Sequence, residues 1–267
     1  MTAQSPQASP LAGQPYIASA LKLRVAKAIT STSAGRIIGP LARHRIRHYG
    51  LRFDVASADF SPRVRAQLFW GSYESAETKM IQRFLQGSGT VVELGSSIGI
   101  TAAHIAAVMA PNGHLVCVEA NPRLLPGIRE RVTSHGRSVR LDDIHAAVAT
   151  STGTGNLALA AETTGSKLTD SAAGWEVIDV PTMTLGEILR QTGVSEYDLV
   201  SDVEGAETAF LLQDSSSLAG CRHAVMELHD TAIDDRRVSV ADLIEGARAA
   251  GFRLVSRHGP VVYMDRS

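Results

Sequence analysis

The chain has 267 residues, 44% of them hydrophobic, enough for one α/β domain with an N-terminal extension, so wholesale disorder is excluded. A formal net charge of -1, from 26 basic and 27 acidic residues, gives no global pull toward nucleic acid. Two cysteines, Cys117 and Cys221, are too few for a disulfide framework; both fall in apolar runs, read as buried thiols, and leave a cytoplasmic setting as the default.

From Met1 to Pro15 the sequence is polar and rich in Ser, Gln and Pro, without the basic start and apolar stretch of a secretory signal. It reads as a disordered tail over 1–15. Residues 16–86 read as an N-terminal helical region and 87–267 as the main domain. No apolar run approaches the roughly 20 residues needed to span a bilayer. Ile17, Ala20, Leu21, Val25 and Ile29 recur at helical spacing, with Lys22, Arg24 and Lys27 between them. Arg36, Arg43, Arg45, Arg47 and Arg52 continue the positive run, and no acidic residue precedes Asp54. Two readings stay open: a basic amphipathic helix that touches a membrane surface or an anionic substrate, or a helix packed on the main domain with a solvated basic face. Gly35, Gly39 and Pro40 break the segment up. Residues 61–86 read as helical, with Tyr73–Leu85 the clearest part.

From Thr90 onward strands and helices alternate. Strands are predicted at Thr90–Leu94, His114–Glu119, Ser138–Leu141, Tyr197–Val203 and Arg222–Leu228. Helices are predicted from about Ile100 to Met109, and at Pro122–His135, Thr184–Gln191, Ala206–Leu212 and Val238–Ala250. Thr184 with Glu187 three residues on forms a capping box, and Gly251 stops the last helix. Residues 151–174, full of Gly, Thr and Ser around a weak strand, read as a mobile loop or lid. The closing strands, Phe252–Ser256 and Val261–Met264, are joined too tightly for a parallel crossover and must run antiparallel. The expected fold is α/β: a Rossmann-like sheet of the class I methyltransferase type, mostly parallel with a C-terminal antiparallel strand, plus N-terminal helices.

The main chemical signal is Val91-Val92-Glu93-Leu94-Gly95-Ser96-Ser97-Ile98-Gly99, a buried strand entering a turn with glycines four apart and then a helix. Glycine there lets backbone approach a ligand, and ligands of open α/β sheets bind beyond the carboxyl strand ends. A dinucleotide fingerprint needs a middle glycine where Ser97 stands, and Glu93 would repel pyrophosphate. A cationic, ammonium-bearing donor such as S-adenosylmethionine is tolerated instead. Glu119, at the second strand's end, can accept ribose hydroxyls, and Asp142 or Asp143 can reach an adenine amino group.

The chain resembles the FkbM family of methyltransferases over roughly residues 66–230. The resemblance rests on Trp70-Gly71-Ser72-Tyr73-Glu74, the Glu93–Gly99 turn, Val118-Glu119-Ala120-Asn121-Pro122, Asp202-Val203-Glu204-Gly205-Ala206-Glu207 and Val225-Met226-Glu227-Leu228-His229. Family members often carry Lys where this chain has Ser201 and Asp where it has Glu93. The resemblance implies S-adenosylmethionine as donor and O-methylation of natural products, glycans or glycolipids. It does not choose among those acceptors or fix an oligomeric state.

Methylating a hydroxyl of high pKa calls for a base or a metal. Asp202 and His229 are the expected catalytic pair, with Glu204 beside them, and His229 titrates nearest neutrality. Asp202 with Glu227 or Asp230 is a candidate Mg²⁺ site. Glu93, Gly95, Ser97, Gly99, Glu119, Asp143 and Tyr73 are the expected cofactor contacts, and Tyr73, Glu74 and Glu77 lie on a segment expected to cross the cofactor mouth. The competing readings are a nicotinamide-dependent oxidoreductase, a nucleic-acid methyltransferase, which 5% aromatic content disfavours, and a binding protein with a vestigial site.

Overall fold

The computed structural model describes residues 28–135, 138–159, 167–168, 176–233 and 236–266. The tail expected over 1–15 and most of the helix expected over 17–29 lie outside these residues.

The N-terminal region mixes helix and strand. Helix α1 (Thr32–Leu41) is capped by Ser31, whose side chain accepts from Ala34 N. The hairpin β1 (Arg45–His48) and β2 (Leu51–Asp54) follows, then α2 (Pro62–Phe69), capped by Ser61, and α3 (Ser75–Phe84). The hairpin adds strand to a region read from the sequence as helical with breaks at Gly35, Gly39 and Pro40. Arg45-Ile46-Arg47-His48 alternates with period two, and Tyr49 and Gly50, at φ 43° and 91°, supply the left-handed pair of a tight hairpin turn. Ile46, His48 and Phe53 face inward, and Arg45, Arg47 and Arg52 face outward. His48 Nδ1 meets His104 Nε2 at 3.1 Å in the core.

The main domain opens with β3 (Thr90–Leu94), α4 (Ile100–Val108), β4 (His114–Glu119), α5 (Leu125–Ser134) and β5 (Arg140–His145). Helix α4 is apolar all round because it is buried on nearly every side. A short strand β6 (Ala147–Val148) leads into β7 (Gly153–Leu159), β8 (Lys167–Leu168) and β9 (Glu176–Met183). These four form their own sheet, ordered β6-β9-β7-β8, over a small core of Ala147, Leu157, Leu159 and Val180.

Helix α6 (Leu185–Thr192) carries the predicted Thr184–Glu187 capping box and ends at Gly193. After β10 (Tyr197–Ser201), the helix predicted over 206–212 forms a π-helical turn over Ala209–Gln213. The chain then runs through β11 (Cys221–Glu227), the short antiparallel pair β12 (Thr231–Ile233) and β13 (Arg236–Val238), α7 (Val240–Ala249), β14 (Arg253–His258) and β15 (Val261–Asp265).

The main sheet is seven-stranded, ordered β14-β15-β11-β10-β3-β4-β5. All its neighbours pair in parallel except those of β15, which runs antiparallel to both β11 and β14. This is the class I methyltransferase form of the Rossmann-like sheet. One core packs α3, α4, α5 and the N-terminal elements on one face; a second packs α6, α7 and the π turn on the other. No helix of the described residues is long and apolar enough to cross a membrane. Cys117 and Cys221 are free and buried.

Candidate active site

The parallel strands deliver their carboxyl ends to one edge, where the order reverses between β3 and β10. After β3 the chain turns at Gly95 (φ 82°), Ser97 (φ 47°) and Gly99 (φ 76°). Glycine is needed at 95 chiefly because of protein: an added Cβ would lie 1.9 Å from the Asp202 carbonyl oxygen. At 99 it would lie 2.9 Å from Ile128 Cα, where α4 starts against α5. The two glycines thus set the turn against its neighbours.

Glu119, buried at the end of β4, braces this turn. One carboxylate oxygen accepts from Ser97 N and the other from Asn121 N, each at 2.7 Å. Burial raises its pKa while those N–H groups hold it down. Each oxygen keeps a lone pair for a ligand hydroxyl. Glu93 is deeper, 1% exposed; one oxygen accepts from the Cys117 thiol at 3.3 Å and the other has no partner. Burial pushes its pKa up to about 8.

Tyr73 and Glu74 reach the turn from the start of α3. Glu74, itself at φ 40°, accepts a hydrogen bond from Thr101 on the first turn of α4, and burial lifts its pKa to about 7. Glu77, also buried, is raised to about 7 by burial and by Glu227 beside it.

Across the reversal point, Asp202 follows β10, Glu204 (φ 49°) and Gly205 (φ 103°) form the next turn, and Glu227 and His229 close β11. His229 is the hub. Its Nδ1 lies 2.7 Å from Glu207, whose side chain is fully buried. Its Nε2 faces Asp202, Glu204 and Glu227 at 3.9, 3.7 and 3.8 Å. The Glu207 hydrogen bond holds the His229 pKa up at about 9. Burial raises the Asp202 pKa, reinforced by the charges of Glu227 and Glu74.

Asp202, His229 and Glu204 therefore come together as the sequence suggested. Of the candidate ion ligands, one does not join. Asp230 points away: its carboxylate accepts from Arg237 and Val240 N, both at the surface. Asp143 lies inside β5, which runs four residues past the predicted strand, and it pairs with Arg129. His229, and not Asp230, stands with Asp202 and Glu227. One donor atom each from Asp202, Glu227 and His229 lies within 4.8 Å of the others, a mixed oxygen–nitrogen set suited to a divalent ion.

Sequence reasoning missed Glu207 and Thr101 as site residues. Glu207 reads equally well as a helix N-terminal acid. Glu77 had a legible signal, since it stands in the buried stripe with Met80 and Ile81. Such an acid among apolar positions marks a site.

The residues fit a cationic donor. Glu93 Oε1, Ser96 Oγ, Tyr73 Oη, Ser201 Oγ and Asp202 Oδ1 are buried with no hydrogen-bond partner, and the carboxyl groups around them far outnumber the one histidine. Buried polar atoms without partners mark where a ligand bonds. The profile of the Methyltransferase FkbM domain matches residues 93–254, more than half of the chain. The chain belongs to the FkbM methyltransferase family. No curated protein sequence matches it. Solved structures similar to this FkbM-family chain include an O-methyltransferase from Bacillus cereus in complex with SAH, 13% identical over 72% of this chain and 81% of that one, with a TM-score of 0.42. Another is fibrillarin from Aeropyrum pernix with natively bound S-adenosyl-L-methionine, 14% identical over 71% and 73%, with a TM-score of 0.40.

Proposed function

We propose that this FkbM-family methyltransferase moves the methyl group of S-adenosylmethionine to a hydroxyl oxygen of a sugar, glycolipid or natural product. The observation that carries the reading is His229, oriented by buried Glu207 and facing Asp202, Glu204 and Glu227 beside the Gly95 turn. Bound there, the donor supplies an activated methyl on a sulfonium, which leaves as a neutral thioether when the new O–CH₃ bond forms. Glu119 takes the ribose hydroxyls, and the unpartnered oxygens of Glu93 and Asp202 face cationic groups. His229, with Asp202 beside it, receives the acceptor's one hydroxyl proton. His229 is a poor base while its pKa stands near 9; a cation entering among these carboxylates lowers it toward working pH. Positioning and exclusion of water supply the rest.

A metal-assisted version is supported by the donor set Asp202, Glu227 and His229. A divalent ion, Mg²⁺ or a first-row ion better matched to imidazole, would lower the hydroxyl's pKa in place of the base.

Calorimetric titration with S-adenosylmethionine and, separately, NADH tests the class, and methyl transfer to a panel of sugar and polyketide hydroxyls tests the reaction. We expect binding of the first ligand alone, and loss of transfer in Asp202→Ala with the donor still bound. Chelation followed by Mg²⁺ or Mn²⁺ return separates the two versions. Full turnover by Asp202→Ala sinks the reading.

A further inference from the structure

Helix α1 presents an apolar face to solvent. Gly35 and Gly39 point inward, where an added Cβ would meet Pro62 and Arg65 of α2 respectively. At 100° per residue, Ile37 and Leu41 lie on the opposite side, and they are 62% and 78% exposed. One contact is with the first residue of α2 and the other with the Arg65 side chain, so the two helices pack against each other. The end of α2 carries Phe69 and Trp70, 46% and 51% exposed, with rings edge to face at 5.1 Å. These four, on two helices that pack together, are the majority of the seven large exposed hydrophobics among the described residues.

Up to the last residue of the hairpin the charge has one sign; that residue, Asp54, is exposed and stands opposite Arg45. Eight basic residues and no acid precede Asp54, leaving 18 basic against 27 acidic residues in the rest of the chain. Arg36, Arg43, Arg45, Arg47 and Arg52 are exposed, and none forms an ion pair among the described residues. Arg47 and Arg52 stand directly opposite each other across the hairpin, an unfavourable like-charge pair that an anionic surface would relieve. The Tyr49 hydroxyl donates to the Gly71 carbonyl at 2.9 Å, so the arginine-faced hairpin sits beside Trp70.

We propose that the α1–α2 face with its arginine hairpin docks on an anionic lipid bilayer. Aliphatic Ile37 and Leu41 enter the acyl boundary, Phe69 and Trp70 sit at the interface, and the arginines meet lipid phosphates. RNA is disfavoured, since the most exposed apolar groups are aliphatic and do not stack on bases. Docking of this face does not depend on which acceptor the enzyme methylates.

The chain has two tryptophans, Trp70 and Trp175, so Trp175→Phe makes Trp70 the sole reporter. Vesicles of phosphatidylglycerol and phosphatidylcholine in roughly equal parts are compared with pure phosphatidylcholine. We expect flotation with the anionic vesicles, a blue shift of Trp70 emission, and weakening of both at high salt. Adding Ile37→Ser and Leu41→Ser, with an unchanged circular dichroism spectrum, should lower the partition coefficient at least about tenfold. Absence of flotation overturns the proposal, as does equal partition of the serine variant. A lipid-independent blue shift that tracks dimer formation would assign the face to a second copy instead. RNA binding without vesicle binding would assign it to nucleic acid.

Discussion

Acidification should unfold this protein partly through one buried pair. His48 and His104 are 1% and 0% exposed, and burial lowers their pKa values to about 4 and about 3. An unfolded histidine titrates near 6.5. Between about pH 6.5 and pH 3 the unfolded chain therefore binds more protons than the folded one. The His104 contribution is intact above pH 6.5 and drains away as pH falls through that window. Linkage gives about 2 kcal/mol lost between pH 7 and pH 5 for His104 alone. Other groups pull the opposite way: Glu93, raised to about 8, makes the fold gain stability over part of the same range. The test must therefore be differential. Urea unfolding of wild type and His104→Gln at pH 7 and pH 5 should show the gap between the two proteins changing by about 2 kcal/mol in favour of the variant at acid pH. Curves that keep a constant gap would refute the assignment of His104 as a buried neutral imidazole.

Gly95→Ala places a Cβ against the Asp202 carbonyl at a left-handed φ, and urea melts should show a loss of at least about 2 kcal/mol. Gly193→Ala shares the left-handed φ without a clash and should lose only about 1 kcal/mol. Glu207→Gln removes the charge behind His229; turnover should fall about 10- to 100-fold, and the acid limb of the pH–rate profile should move to lower pH, because the raised His229 pKa relaxes toward its ordinary value. Ser239→Ala breaks the capping box of α7 and should cost about 1 kcal/mol by thermal or urea melts.

The strands and the Gly turn were legible because burial on both faces writes apolar runs, continuous in Leu115–Val118 and broken by Glu93 alone in Val91–Leu94. The antiparallel end was legible from a connection too short to cross over. The hairpin Arg45–Asp54 was not, because its two-residue alternation lies inside an arginine-rich stretch that also suits a helix. In the site, Asp202 and His229 could be named from their strand ends. Asp230 could not be told from its neighbour, since only the fold shows that Arg237 and Val240 N draw it outward. Glu207 was hidden for the same reason: a partner 22 residues away decides whether an acid caps a helix or steers an imidazole.

The sheet β6–β9 has a small core of its own, with Val148 reaching into the main core and Arg123 pairing with Glu176 of β9. The loop joining β6 to β7, residues 149–152, is half-buried at Ala149 and exposed beyond it. It can lengthen or change type at small entropic expense without disturbing the strands that hold the Gly95 turn and the carboxylates. An insertion there should leave donor binding and global stability in place.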